Sequence, residues 1–150
     1  MEPTLRCARP GPGCSAETSD RILAVRFVAG LEPRRGDLVA FDAPPEAVEA
    51  CGAGGVFVKR VVALPGENIT SIAGQIVIDG DELREDYLDA DQRGGRSIVD
   101  TITVPADHYF TLGDNRPTSC DSREYGPVPR ENFVGRVVFI YWPLSRIGLP

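Results

Sequence analysis

Lysine is almost missing from this 150-residue chain. Lys59 is its one example, and the other fifteen basic residues are arginines. Histidine also occurs once, as His108. The four cysteines form no Cys-x-x-C pair, and His108 is far in sequence from Cys7 and Cys14. No zinc-ligand spacing results, so neither a metal nor a cofactor is expected. No apolar run approaches the ~18 residues that cross a bilayer. No basic-then-apolar leader opens the chain, so no anchor or export signal is expected within it. Net charge is −6, which argues against nucleic acid or an anionic membrane surface as the main partner. Helical periodicity is nearly absent as well.

What is present is ordinary for a globular protein: 42% hydrophobic and 25% charged residues. The length suits one domain, residues 1–150, with a sizeable core. Short apolar runs alternate with strong turns. Residues 21–28 read as a strand. Pro33-Arg34-Arg35-Gly36-Asp37 reads as a turn feeding Leu38-Val39-Ala40-Phe41. Residues 42–55, rich in Pro, Ala and Gly, read as a loop or short helix. Residues 56–64 form a β-branched strand that stops at Pro65-Gly66. Gln75-Ile76-Val77-Ile78 meets Asp79-Gly80, a hairpin turn signal. Residues 82–97 are polar and acidic and are expected as an exposed excursion. Residues 98–104 and 109–112 read as strands around the turn Pro105-Ala106-Asp107-His108, and the last strand is residues 134–142. The expected fold class is therefore all-β or β-dominated.

Cys7 and Cys14 bracket the turn-rich Ala-Arg-Pro-Gly-Pro-Gly and could pair in an oxidising compartment. Cys51 is expected as a free thiol.

Lys59 stands in Val56-Phe57-Val58-Lys59-Arg60-Val61-Val62-Ala63-Leu64. Residues two apart in a strand share a face, so Lys59 is expected beside Phe57, Val61 and Ala63. A buried ammonium is costly and tends to lose its proton, and a neutral lysine is a base. The plainer alternative is a lysine snorkelling from an edge strand in an arginine-biased sequence. A second dense segment, residues 113–126, runs Gly113-Asp114-Asn115-Arg116-Pro117-Thr118-Ser119-Cys120-Asp121-Ser122-Arg123-Glu124-Tyr125-Gly126. Asp121 and Arg123 could form a bidentate pair there, and Ser119 or Ser122 could donate to a neutral amine. The plainer alternative is a polar surface turn.

Taken in order, these segments resemble the signal peptidase I family of Ser/Lys endopeptidases. Met1-Glu2-Pro3-Thr4-Leu5 is similar to the end of that family's nucleophile motif. Residues 36–41 together with Lys59-Arg60-Val61-Val62-Ala63-Leu64-Pro65-Gly66-Glu67 are similar to its lysine motif. Gly113-Asp114-Asn115-Arg116, Ser119, Asp121-Ser122-Arg123 and Gly126 are similar to its last motif. Val128-Pro129 and Val134-Gly135-Arg136 continue the likeness.

The resemblance implies a fold of coiled, mostly antiparallel sheets, with Lys59 as the general base and the Ser119 hydroxyl bonded to it. It implies that Asp121 with Arg123, and Asp114 with Arg60, hold the loop and the lysine strand in register. It places Leu5, Phe57 and Val58 on the walls of shallow pockets for small residues at substrate positions −1 and −3, and Met1 next to the nucleophile. The implied substrates are the signal peptides of exported preproteins, bound extended as an added strand. The implied setting is the extracytoplasmic face of the plasma membrane, with membrane lipid as a partner of the intact protein. Arg60 cannot replace Lys59, because guanidinium keeps its proton. His108 sits in a turn signal and matches no family motif.

The family's nucleophilic serine stands immediately before the residue matched by Met1, and its membrane segment lies further upstream. The expectation is a start that omits both, leaving the chain as written inactive. The alternative is a non-catalytic peptidase-like domain that binds export precursors or a membrane partner. A self-cleaving repressor-type Ser/Lys protease is argued against by the last motif.

Overall fold

Turn chemistry sets most of the strand boundaries. In the computed structural model, the described residues are 1, 4–6, 18–28, 30–93, 98 and 100–150. Cys7, Cys14 and the disulfide considered between them lie outside these residues. Strand β1 (Arg21–Arg26) leads through a turn into β2 (Leu38–Asp42). In that turn the Asp37 carboxylate accepts the Arg34 N–H at 2.9 Å, which closes it from both ends. Helix α1 (Pro45–Cys51) carries proline at its start, where the missing N–H costs nothing. Strand β3 (Val56–Ala63) bears Lys59 and pairs antiparallel with β2, Val39 lying opposite Lys59.

Strands β4 (Asn68–Ile72), β5 (Gln75–Ile78) and β6 (Asp81–Glu82) form a meander. Its second turn is Asp79-Gly80, with φ of 50° and 94°; a two-residue hairpin needs that left-handed pair. Strand β4 has no counterpart in the sequence reading. The turn after it is Ala73-Gly74, and Ala73 at φ 50° is not a residue that announces a turn. Strand β7 (Ile102–Thr103) is shorter than the run expected at 98–104. At the start of that run, Ile98 is tied to Ser71 by two bonds through the serine hydroxyl and one long backbone bond of 3.4 Å. Strand β8 (His108–Leu112), helix α2 (Ser122–Tyr125), β9 (Val128–Pro129) and β10 (Phe133–Trp142) complete the chain.

The strands form a six-stranded sheet, ordered β1-β10-β2-β3-β8-β9, and a four-stranded sheet, ordered β6-β5-β4-β7. Every pairing among the described residues is antiparallel. The fold is therefore β-dominated, as the strand-and-turn pattern predicts.

Two cores share β3 and β8. One is aromatic and holds Phe41, Phe57, Tyr109, Tyr125 and Phe133 with Val39 and Val61. The other is aliphatic and joins the sheets through Val62, Ala63, Ile69, Ile76, Ile78, Phe110 and Leu112. A bulge in β3 explains the division: Val61 lies opposite Thr111, but Ala63 lies opposite Phe110. The extra residue reverses the alternation. Phe57 and Val61 therefore pack in the aromatic core, while Ala63, expected on the Lys59 face with them, packs in the aliphatic one.

The segment expected as an exposed excursion at 82–97 is corrected in its first half. Glu85 and Leu88 are 8% and 3% exposed. Glu85 can be buried because a distant arginine, Arg116, meets its carboxylate there. Residues 94–97 lie outside the described residues.

Candidate active site

Consecutive strand residues point to opposite faces, so β3 sends Lys59 one way and Arg60 the other. Both are 8% exposed. The Lys59 ammonium nitrogen lies 2.8 Å from the Ser119 hydroxyl oxygen and 5.9 Å from the centre of the Phe57 ring. A charged Lys59 donates to that hydroxyl. A neutral one accepts from it, so the contact survives loss of the proton.

Arg60 meets a different environment. Its guanidinium donates to both oxygens of Asp114, at 2.9 and 2.7 Å, and to the Gly36 carbonyl at 2.9 Å. The Tyr87 ring covers it, 4.0 Å from ring centre to guanidinium carbon. Asp114 is fully buried and also accepts from the Thr4 hydroxyl. Arg146 donates to the Thr4 carbonyl at 2.9 Å while paired with Asp20. These bonds fasten the start of the chain to the back of the lysine strand.

The loop after β8 brings Ser119 into place. Asp121 and Arg123 form the expected bidentate pair, with both bonds at 2.8 Å. Asp121 also accepts the Gly113 N–H at 3.0 Å, and Arg123 donates to the Arg116 carbonyl at 2.8 Å. Gly113 is required for space. A Cβ there would lie 2.1 Å from the Ser119 oxygen and 3.4 Å from the Lys59 nitrogen.

Of the residues predicted for the site, Lys59, Ser119, Arg60, Asp114, Asp121 and Arg123 fall into this one constellation. Ser122, also considered as a partner of the amine, is turned away. Its oxygen accepts the Thr111 N–H at 3.0 Å. His108 lies at the far end of β8, opposite Pro129, with a ring nitrogen 2.8 Å from the Ala106 carbonyl. Leu5 is buried, and its N–H donates to the Met1 carbonyl at 2.9 Å. Val58 is half-buried. Phe57 belongs to the aromatic core, edge-on to Phe41 at 6.1 Å, and only one side of its ring faces Lys59.

Cys51 is not a free thiol. It is bonded to Cys120, with the two Cα atoms 5.8 Å apart. The contact between α1 and α2 brings them together across 69 residues of sequence, a proximity that spacing could not reveal. Cys120 directly follows Ser119, so the bond anchors the loop beside the hydroxyl that meets Lys59.

Sequence reasoning gave no role to Thr4, Glu85, Tyr87 or Arg116. Arg116 donates to both Glu85 oxygens, one at 3.0 Å, and to the Gly113 carbonyl at 3.1 Å. Burial opposes its charge, but the bonds to Glu85 and that carboxylate's charge outweigh it and raise its pKa. The Tyr87 hydroxyl donates to Glu85 at 2.6 Å. Burial, and then Glu85, push that phenol above its ordinary range. The alternation Leu83, Glu85, Tyr87 before buried Leu88 is the sequence signal that could have marked this segment as packed.

The family model for signal peptidase, peptidase S26, matches residues 10–142. The chain belongs to the signal peptidase family. It is 38% identical over 137 residues to a signal peptidase I of Leptolyngbya laminosa, covering 88% of this chain and 64% of that one. It is 35% identical over 150 residues to a probable signal peptidase I-2 of Synechocystis, covering 99% of this chain and 62% of that one. The chain thus spans a little under two thirds of the length of these relatives. A crystal structure of a signal peptidase I from Enterococcus faecalis V583 superimposes with a TM-score of 0.57 at 31% identity, covering 71% of this chain and 97% of that one. Family membership accords with the order of the motifs around Lys59 and Ser119. Among the described residues, no helix is long and apolar enough to cross a membrane.

Proposed function

We propose that this chain is the catalytic part of a serine endopeptidase that removes signal peptides from exported precursors, with Lys59 as general base. The observation that carries this reading is the 2.8 Å contact between the buried Lys59 amine and the Ser119 hydroxyl, in a family of signal peptidases. The nucleophile is a serine placed immediately before Met1. Neutral Lys59 takes the proton of that serine as its oxygen attacks the carbonyl of the last signal-peptide residue. Lys59 then returns the proton to the leaving amine of the mature protein, and water resolves the acyl-enzyme.

Ser119 holds the amine in line throughout, and the Asp121–Arg123 pair holds Ser119's loop. Met1, Leu5, Phe57 and Val58 face the small side chains at positions −1 and −3. The substrate adds as an extended strand beside β3. The intact protein works at the extracytoplasmic face of the plasma membrane, against lipid.

The test places Ser before Met1 and assays an Ala-x-Ala peptide in detergent. Cleavage that disappears in Lys59→Ala supports the reading. An extended protein that cleaves nothing, and so behaves as Lys59→Ala does, refutes it. Peptide binding without cleavage would instead favour a domain that captures export precursors.

A further inference from the structure

Gly113 lies against the Lys59–Ser119 contact: where its Cβ would be, the Ser119 oxygen is 2.1 Å away and the Lys59 nitrogen 3.4 Å. A shift of that peptide therefore presses on the contact or opens it. Each of its backbone groups is held by a buried side chain. Asp121 accepts its N–H at 3.0 Å, and Arg116 donates to its carbonyl at 3.1 Å. The first hold belongs to the loop itself. The second depends on how the Arg116 head is turned, and an arginine head turns freely unless its fork is engaged.

The group that engages it is Glu85, which comes from a different part of the chain. Arg116 and Glu85 are 4% and 8% exposed, and two hydrogen bonds join them. Tyr87 adds a third acceptor bond to Glu85 at 2.6 Å, and its ring lies over Arg60 on the back of the lysine strand. The segment that follows β6 thus grips the catalytic loop through one arginine and the catalytic strand through another.

We propose that Glu85 is a positioning residue for the Lys59–Ser119 pair, acting through Arg116 on the Gly113 peptide. The inference rests on the Ser/Lys reading of the site. Without Glu85 the buried Arg116 guanidinium loses both bonds to a carboxylate and keeps at its fork the long contact to the Tyr87 hydroxyl, 3.4 Å. It turns toward water, releases the Gly113 carbonyl, and lets the peptide that carries the Lys59–Ser119 contact drift.

The single lysine of the chain makes the drift directly visible. Lysine labelled with carbon-13 at Cε yields one side-chain resonance, that of Lys59, with no catalysis needed. In Glu85→Gln the resonance is expected to move toward its position in Ser119→Ala. Arg116→Gln moves it the same way, and Glu85→Asp restores it in part. Tyr87→Phe removes one bond to Glu85 and the longer one from Arg116, keeps the ring over Arg60, and gives a smaller shift. If Glu85→Gln does not fold, Tyr87→Phe and Glu85→Asp still decide.

Variants that fold, by circular dichroism, but leave the resonance unmoved overturn the proposal. In the serine-extended enzyme, kcat of Glu85→Gln is expected to fall about tenfold while KM stays within about twofold. A loss carried by a rise in KM alone also overturns it. A serine-extended parent with no activity defeats the peptidase reading alone, and the resonance still decides whether Glu85 positions the pair.

Discussion

Lys59 and Arg60 are adjacent, basic and equally buried, yet the two faces of β3 treat them in opposite ways. Arg60 is met by a fully buried carboxylate on two hydrogen bonds, by a backbone carbonyl and by an aromatic ring. Lys59 is met by a hydroxyl, which can accept from an ammonium or donate to an amine. One face answers a charge with an opposite charge. The other brings a neutral hydroxyl. The strand supplies the same backbone to both, so the difference lies in what the distant loop at 113–121 delivers to each side.

The largest break in that comparison is Lys59→Arg in the serine-extended protein. On the general-base reading it puts a permanent charge where a transient one is needed, and peptide cleavage is expected to fall about 10⁴-fold. A thermal melt checks that the fold is retained, and substantial residual activity would show that Lys59 is not the base. Next is Asp114→Ala, which strands the Arg60 charge. Urea unfolding should report a loss of about 3–5 kcal/mol, as expected for one member of a buried pair.

Replacing both Cys51 and Cys120 by serine frees the loop that delivers Ser119. Chain entropy for a bond that spans 69 residues sets the cost at about 4 kcal/mol. The same unfolding curves, compared with those of the parent under a reducing agent, should coincide with the double variant. The smallest effect is expected from Thr4→Val, which removes one bond to Asp114 and leaves the Arg60 pair in place. It should cost about 1–2 kcal/mol and leave the Lys59 environment unchanged. A Thr4→Val loss as large as that of Asp114→Ala would mean that the chain start, not Arg60, holds the carboxylate.

Much of this site was legible in the residues. An apolar β-branched run around one lysine marked β3. The arrangement of Asp121 and Arg123 two residues apart marked their pair, since neighbours that close need no fold to meet. Two hydroxyls, Ser119 and Ser122, were equally placed to reach an amine, and nothing local separates them. The start of α2 does: Ser122 opens that helix and turns to the Thr111 N–H, while Ser119 stays on the side facing β3. Residues 82–97 looked exposed because acidic side chains ordinarily stay in water. Glu85 departs from that rule only because Arg116, thirty-one residues later, reaches the same spot. Phe57, placed on a pocket wall by resemblance, also has core neighbours, Phe41 and Tyr125, that come from elsewhere in the chain.

By itself, the sequence determined the class of fold, the boundaries of the strong turns and the order of the motifs. It also singled out the one lysine of the chain, set in an apolar strand. Each of these rests on a residue and its near neighbours. The tertiary structure decided which hydroxyl meets Lys59, that Cys51 is bonded to Cys120, and that Glu85 is buried against Arg116. Those outcomes depend on contacts between residues 60, 69 and 31 apart. Only a closed chain brings such groups within a few ångströms, because the burial and hydrogen bonding of many other residues must first overcome the entropy of doing so.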